Sequence, residues 1–261
     1  MPAESAPQDR VWMAFPSEGY SLGDTETEHH EARSTWAAVA HAVLEFEPVT
    51  VVVDPAEMAA ARQYLSTEVE IVEAPWGAGI PADRYEAILT ADTGHRIRAV
   101  LATHNETATG VRSDIAAVRR ALDAARHPAL LFVDGVSSIA SMDFRFDDWG
   151  VDVAVTGSQK GFMLPAGLAI LGFSDKAMAA TATATLPRTF FDVRDMESGY
   201  ARNGFPYTPP VGLMNGLKLS CDVLLGEGLE QVFARHRRIA DGVRAAAAAW
   251  GMPLCALAPD L

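Results

Sequence analysis

Hydrophobic and polar positions alternate along this chain in blocks sized for alternating strands and helices. Val49-Thr-Val-Val-Val53 is an unbroken, mostly β-branched run, and Val69-Glu-Ile-Val72 is a second short apolar segment. Between them, Asp54-Pro55 reads as an N-cap followed by proline at the first helical position, which opens a helix to about Leu65. Upstream, Trp36, Val39, Ala40 and Val43 recur at helical spacing and predict a helix from about Glu26 to Glu45. Strand, helix and strand in so short a span make a βαβ unit with parallel pairing.

The pattern repeats further on. Ala82 to Leu89 suits a short helix, and Arg98-Ala-Val-Leu-Ala-Thr103 reads as a strand. Ser113 is a candidate cap for a helix from Asp114 to about Arg126, with Ile115, Val118 and Leu122 on one face. Strands are predicted at Ala129–Val133, Val151–Val155 and Leu168–Phe173, followed by an irregular stretch to about Pro210. Beyond it Leu229, Val232, Phe233, His236, Ile239, Ala240 and Val243 form an apolar helical stripe, and Gly251 stands where a C-cap glycine belongs. The expected fold class is α/β: a mainly parallel sheet with helices on both faces, preceded by a small βαβ segment.

Charge and cysteine content narrow the function classes. The net charge of −13 argues against a cationic nucleic-acid footprint and against steering to an anionic membrane. Cys221 and Cys255 form no Cys-x-x-Cys, so neither a disulfide framework nor a thiolate metal site is expected. Both read as small buried hydrophobes. Adjacent His29 and His30 point apart on any regular element, and no metal site is expected. Two cysteines, an N-terminus without a basic region and apolar run, and no window of about 18 apolar residues predict a soluble protein of a reducing compartment, the cytoplasm.

Candidate chemistry gathers at strand ends, where parallel α/β sheets place their ligands. Lys160 follows the strand at Val151–Val155, within Gly157-Ser-Gln-Lys-Gly161. A lysine in partly apolar surroundings forms Schiff bases with carbonyls; a solvated surface lysine is the plainer alternative. Asp134 ends the preceding strand and suits a pyridinium partner, or simply a turn or cap. Thr103-His-Asn-Glu-Thr-Ala-Thr-Gly110 offers hydroxyls to a phosphate, or merely caps the next helix. His104 is a further candidate near such a site.

Taken in order, THNETATG, LLFVDGVSS, GSQKGFMLPAGL and NGFPYTPP resemble the class V, fold-type I aminotransferases, the serine–glyoxylate and alanine–glyoxylate enzymes in particular. The resemblance runs from about residue 76 to 261. It implies pyridoxal 5′-phosphate as cofactor and transfer of an amino group from serine or alanine to glyoxylate. It implies Lys160 as the residue that joins the cofactor and later moves the α-proton. Asp134 would pair with the pyridine nitrogen, and Val136 would pack on one ring face. Thr107 and Gln159 would lie beside the cofactor. Thr208 would reach a phosphate across a homodimer. Ala108 stands where a serine is usual.

Residues 1 to about 70, with MPAESAPQDRVWMAFPSEGYSLGDT and FEPVTVVVDPAEMAAAR, resemble the N-terminus of agmatine deiminases. The expected domains are therefore a deiminase-like segment, 1–75, and an aminotransferase-like cofactor-binding domain, 76–261, without the family's Gly-rich phosphate loop and C-terminal small domain. A guanidine hydrolase using Cys221 or Cys255, and a non-catalytic cofactor-binding remnant, are the alternatives.

Overall fold

The computed structural model describes residues 11–14, 25–44, 49–53, 58–64, 70–73, 75–184 and 192–257. The first part forms a three-stranded parallel sheet in the order β1 (Val11–Ala14), β2 (Val49–Val53), β3 (Glu70–Glu73). The helices α1 (Glu26–Leu44) and α2 (Met58–Tyr64) connect its strands. The predicted β-branched strand matches β2 residue for residue. The strand β1 had no counterpart in the hydrophobic pattern, being four residues long. The Asp54-Pro55 cap lies outside the described residues. Thr25 begins α1: its hydroxyl accepts from the Glu28 amide at 3.2 Å while Glu28 reaches back to the Thr25 amide at 3.0 Å, a capping box.

The second part is a four-stranded sheet in the order β4 (Ala99–Thr103), β5 (Leu130–Asp134), β6 (Val153–Gly157), β7 (Ala169–Phe173). The first three strands are parallel; β7 returns antiparallel. The residues between β6 and β7 explain the reversal. Gly161, Pro165 and Gly167 cannot form the crossover helix that another parallel strand requires, so the chain turns back.

Burial alternates along the strands. Val100, Ala102, Leu131, Val133 and Ala154 lie on one face, against Tyr85 and Leu89 of α3 (Ala82–Ala91) and Ile115, Val118, Ala121 and Leu122 of α4 (Ile115–Ala124). On the opposite face Leu101 and Leu171 are exposed. The cap of α4 is Asp114, whose carboxylate accepts from the Ala117 amide at 2.9 Å, rather than Ser113. The Ser113 hydroxyl instead accepts from the Ile80 amide and ties the approach to α3 to the end of the β4–α4 loop.

Two helices occupy the stretch expected to be irregular: α5 (Asp175–Thr181), capped by Ser174, and α6 (Val193–Ala201), capped by Asp192. They are followed by α7 (Val211–Glu227) and α8 (Leu229–Ala249). Past α8, Gly251 is left-handed (φ 72°). Its amide bonds to Ala248 and that of Met252 to Ala247, closing a Schellman turn. The apolar stripe of α8 is buried at Val232, which packs with Leu224 and Ala140, whereas Ile239 and Val243 are exposed. Cys221 is half-buried and Cys255 exposed, which corrects the expectation that both are core residues. Residues near Cys255 are held through their backbone against Gly77, leaving the thiol free to face outward. Among the described residues no helix is long and apolar enough to cross a membrane.

This burial pattern predicts unequal costs of truncation. Leu122→Ala, at a site with no exposure, is expected to cost about 2–5 kcal/mol. Leu225→Ala, 65% exposed, is expected to cost well under about 1 kcal/mol. Urea unfolding of the two variants measures both.

Candidate functional site

Parallel pairing sets the carboxyl ends of β4, β5 and β6 side by side. Thr103 is level with Asp134, and Asp134 with Val155. The ladder continues past the strands, with the His104 amide donating to Asp134 and the Gly135 amide to Val155, both at 2.9 Å. Side chains then join the first two loops. Asn105 Nδ2 donates to the Ser137 hydroxyl at 3.0 Å, and that hydroxyl donates to the Asn105 carbonyl at 2.6 Å. His104 Nδ1 and Ser138 Oγ lie 2.9 Å apart.

Asp134 is exposed at this edge. One carboxylate oxygen accepts from the Val136 amide at 2.9 Å, an Asx turn that orients the group. Val136 itself is half-buried.

Lys160 lies in the loop between β6 and β7 and is exposed. The chain has three lysines. Lys176 donates to the Ala129 carbonyl and pairs with Asp152, and Lys218 pairs with Asp222. The Lys160 amine alone makes no hydrogen bond or ion pair among the described residues. Its neighbour Gly161 fixes where this loop lies: a Cβ on Gly161 would come within 2.3 Å of the Ile139 carbonyl oxygen. The absence of a side chain thus lets the lysine loop seat directly on the turn that follows Asp134. Gln159 is exposed, and its amide folds back over Gly157, where an added Cβ would meet Oε1 at 2.6 Å.

The other expected cofactor contacts are less closely gathered. Thr107 is exposed in a turn closed by the Gly110 amide on the Glu106 carbonyl. Thr208 is exposed just before α7. No hydrogen bond joins either threonine to Lys160 or Asp134 among the described residues.

His104 is buried rather than presented to a ligand (2% exposed), with its ring packed against Phe144 and Trp149. Burial, reinforced by the nearby charge of Arg112, pushes its pKa down to about 4. Among the described residues no group of His, Cys, Asp or Glu is arranged to hold a metal ion. His30 instead bonds Tyr64, and His236 bonds the Val232 carbonyl one turn back.

The sequence reading missed Ser158, which is fully buried beside the lysine, and Ser220 on α7, whose hydroxyl donates to the Phe162 carbonyl at 2.6 Å. Nothing in their local sequence marks them. They matter because the fold brings distant segments to the lysine loop.

Known proteins are similar to this chain in sequence and in fold. An L-aspartate–glyoxylate aminotransferase of Paracoccus denitrificans is 77% identical over 194 residues, 74% of this chain and 49% of that protein. A serine–glyoxylate aminotransferase of Hyphomicrobium methylovorum is 54% identical over 197 residues, 75% of this chain and 49% of its own length. The greater part of this chain resembles the class V, fold-type I aminotransferases in sequence and in fold. The solved pyridoxamine–pyruvate aminotransferase of Mesorhizobium loti superposes with a TM-score of 0.70 at 27% identity, covering 97% of this chain and 55% of that one. The chain spans about half the length of the curated relatives it matches. Residues 1–79 match a different family model, that of the Porphyromonas-type peptidyl-arginine deiminases, in the region read as resembling guanidine-hydrolysing enzymes.

Two outcomes follow from the site geometry. Protonation of His104 is disfavoured in the fold and free in the unfolded chain. The unfolded state therefore binds the extra proton as pH falls from 6.5 towards about 4, and stability drops across that window by up to about 1.4 kcal/mol per pH unit. It is fully present above pH 6.5. Urea unfolding at pH 7 and pH 5 should show that loss, and His104→Gln should flatten it. Gly161→Ala should destabilise the fold by about 1–3 kcal/mol, read in the same assay, because backbone rather than a flexible side-chain tip blocks the new methyl group.

Proposed function

We propose that this chain carries the lysine-bearing half of a pyridoxal 5′-phosphate site for transamination to glyoxylate. The observation that carries the reading is the amine of Lys160, exposed and without a partner among the described residues, on a loop whose Gly161 packs on the turn after Asp134. The residues present fit the cofactor: an amine unpaired among the described residues, a carboxylate oriented by an Asx turn, and the hydroxyl and amide groups of Thr107, Gln159 and Thr208. Bound there, pyridoxal phosphate supplies an aldehyde for amine exchange and a ring that accepts the electron pair released at the substrate α-carbon. Lys160 would hold the aldehyde end of the cofactor and carry the proton of the substrate α-carbon. Asp134 holds a proton on the pyridine nitrogen. Val136 would pack on the ring, and Thr208 would serve the phosphate of a partner copy in a homodimer.

Every glyoxylate enzyme among the relatives named above shares the acceptor; the donors differ. Serine and alanine are the donors implied by the motifs, and the 77% identical relative adds aspartate. The products are glycine and the donor's 2-oxo acid. The segment 1–75 forms a separate unit, in keeping with its own sheet and its own family match. Two free cysteines suit a cytoplasmic protein. A guanidine hydrolase has less support, because the deiminase match ends at residue 79 and both cysteines lie far beyond it.

The purified chain, mixed with pyridoxal phosphate, should develop the visible absorbance of a lysine-bound cofactor, and Lys160→Ala should abolish it. Glycine formed from glyoxylate should depend on serine, alanine or aspartate and fall at least about 10³-fold in Lys160→Ala. A band that survives the substitution overturns the assignment. So does agmatine hydrolysis that is lost in Cys221→Ala or Cys255→Ala.

A further inference from the structure

The loop that carries Lys160 is closed by buried hydroxyl groups rather than by regular structure. The side chain of Ser158, with no exposed surface, donates to the Pro165 carbonyl at 2.7 Å and accepts from the Leu168 amide at 3.2 Å. Its backbone adds two more bonds, its amide to the Leu168 carbonyl at 3.1 Å and the Leu164 amide to its own carbonyl at 3.0 Å. One residue therefore cinches both ends of an eleven-residue segment, 158–168. The interior of that segment holds a further turn, from the Met163 amide to the Lys160 carbonyl, with Met163 in the left-handed region (φ 58°).

The far side of the loop is gripped by α7. Ser220, 6% exposed, donates to the Phe162 carbonyl at 2.6 Å across 58 residues of sequence. Two glycines allow the approach: a Cβ on Gly216 would meet Leu164 at 3.1 Å, and one on Gly167 would meet Leu213 at 2.6 Å. A buried hydroxyl can be removed without leaving a large cavity, but the carbonyls it satisfied then lose their partners. In an irregular loop that loss falls on loop geometry rather than on the core.

We propose that Ser158 and Ser220 are positioning residues for Lys160: they touch neither substrate nor cofactor and fix the amine over the turn after Asp134 by clamping the loop on which it rides. The proposal rests on the assignment of Lys160 as the cofactor lysine, and its test separates the two. Ser158→Ala, Ser220→Ala and Ser220→Thr are made in the full chain. Hydrogen exchange is followed over 159–168 with β4 and β5 as internal reference. Each alanine variant should exchange at least about tenfold faster in the loop with β4 and β5 unchanged, and Ser220→Thr, which keeps the hydroxyl, should exchange as the parent does.

Pyridoxal phosphate is then titrated into each protein. Binding should weaken about tenfold in the alanine variants, and the pH midpoint of the visible band should move. Unchanged loop exchange overturns the clamp. Faster exchange with an unmoved midpoint and unchanged cofactor affinity overturns the positioning role. If the parent forms no band, the cofactor assignment fails, and exchange still decides the clamp.

Discussion

Everything at the candidate site depends on the parallel pairing of β4, β5 and β6. Parallel strands end on the same side of a sheet, so loops that are 21 or more residues apart in sequence are brought to one edge. The register sets Thr103, Asp134 and Val155 level, which fixes how far Lys160 must travel beyond β6 to meet the turn after Asp134. Gly161 completes the arrangement, because only a residue without a Cβ lets the two loops touch through their backbones. The geometry is thus held by main-chain contacts together with buried hydroxyl groups, and Asp134 and Lys160 are left exposed on top of it.

Much of this was legible in the pattern of residues. The 3.6-residue spacing of α4 reflects burial on one side, which is what periodicity records. Lys160 and Asp134 stood out because each follows an apolar strand. Less legible were features set by contacts between distant segments. The antiparallel return of β7 could have been inferred from Pro165 and Gly167, but the apolar run Leu168–Phe173 looks the same in either direction. The helix α6 is short, and its Asp192 cap is visible mainly in hindsight.

His104 shows the limit of reading chemistry from position. A histidine after a strand resembles a catalytic group, but Phe144 and Trp149, forty or more residues away, turn it into a buried, neutral packing residue. Ser158 is the opposite case. It looks like ordinary loop polarity and proves to be among the most buried and most bonded residues near the lysine. The deciding variable in both is tertiary burial, which a single sequence encodes only through partners it does not name.

The central claim is that Lys160, the one lysine of three whose amine has no partner among the described residues, joins a carbonyl at this edge. Reduction of the chain with borohydride after incubation with pyridoxal phosphate, followed by peptide mass mapping, tests it directly. The account predicts the added pyridoxyl mass on Lys160, with Lys176 and Lys218 held back by their partners Asp152 and Asp222. Label distributed over all three lysines, or concentrated on Lys176 or Lys218, would contradict it.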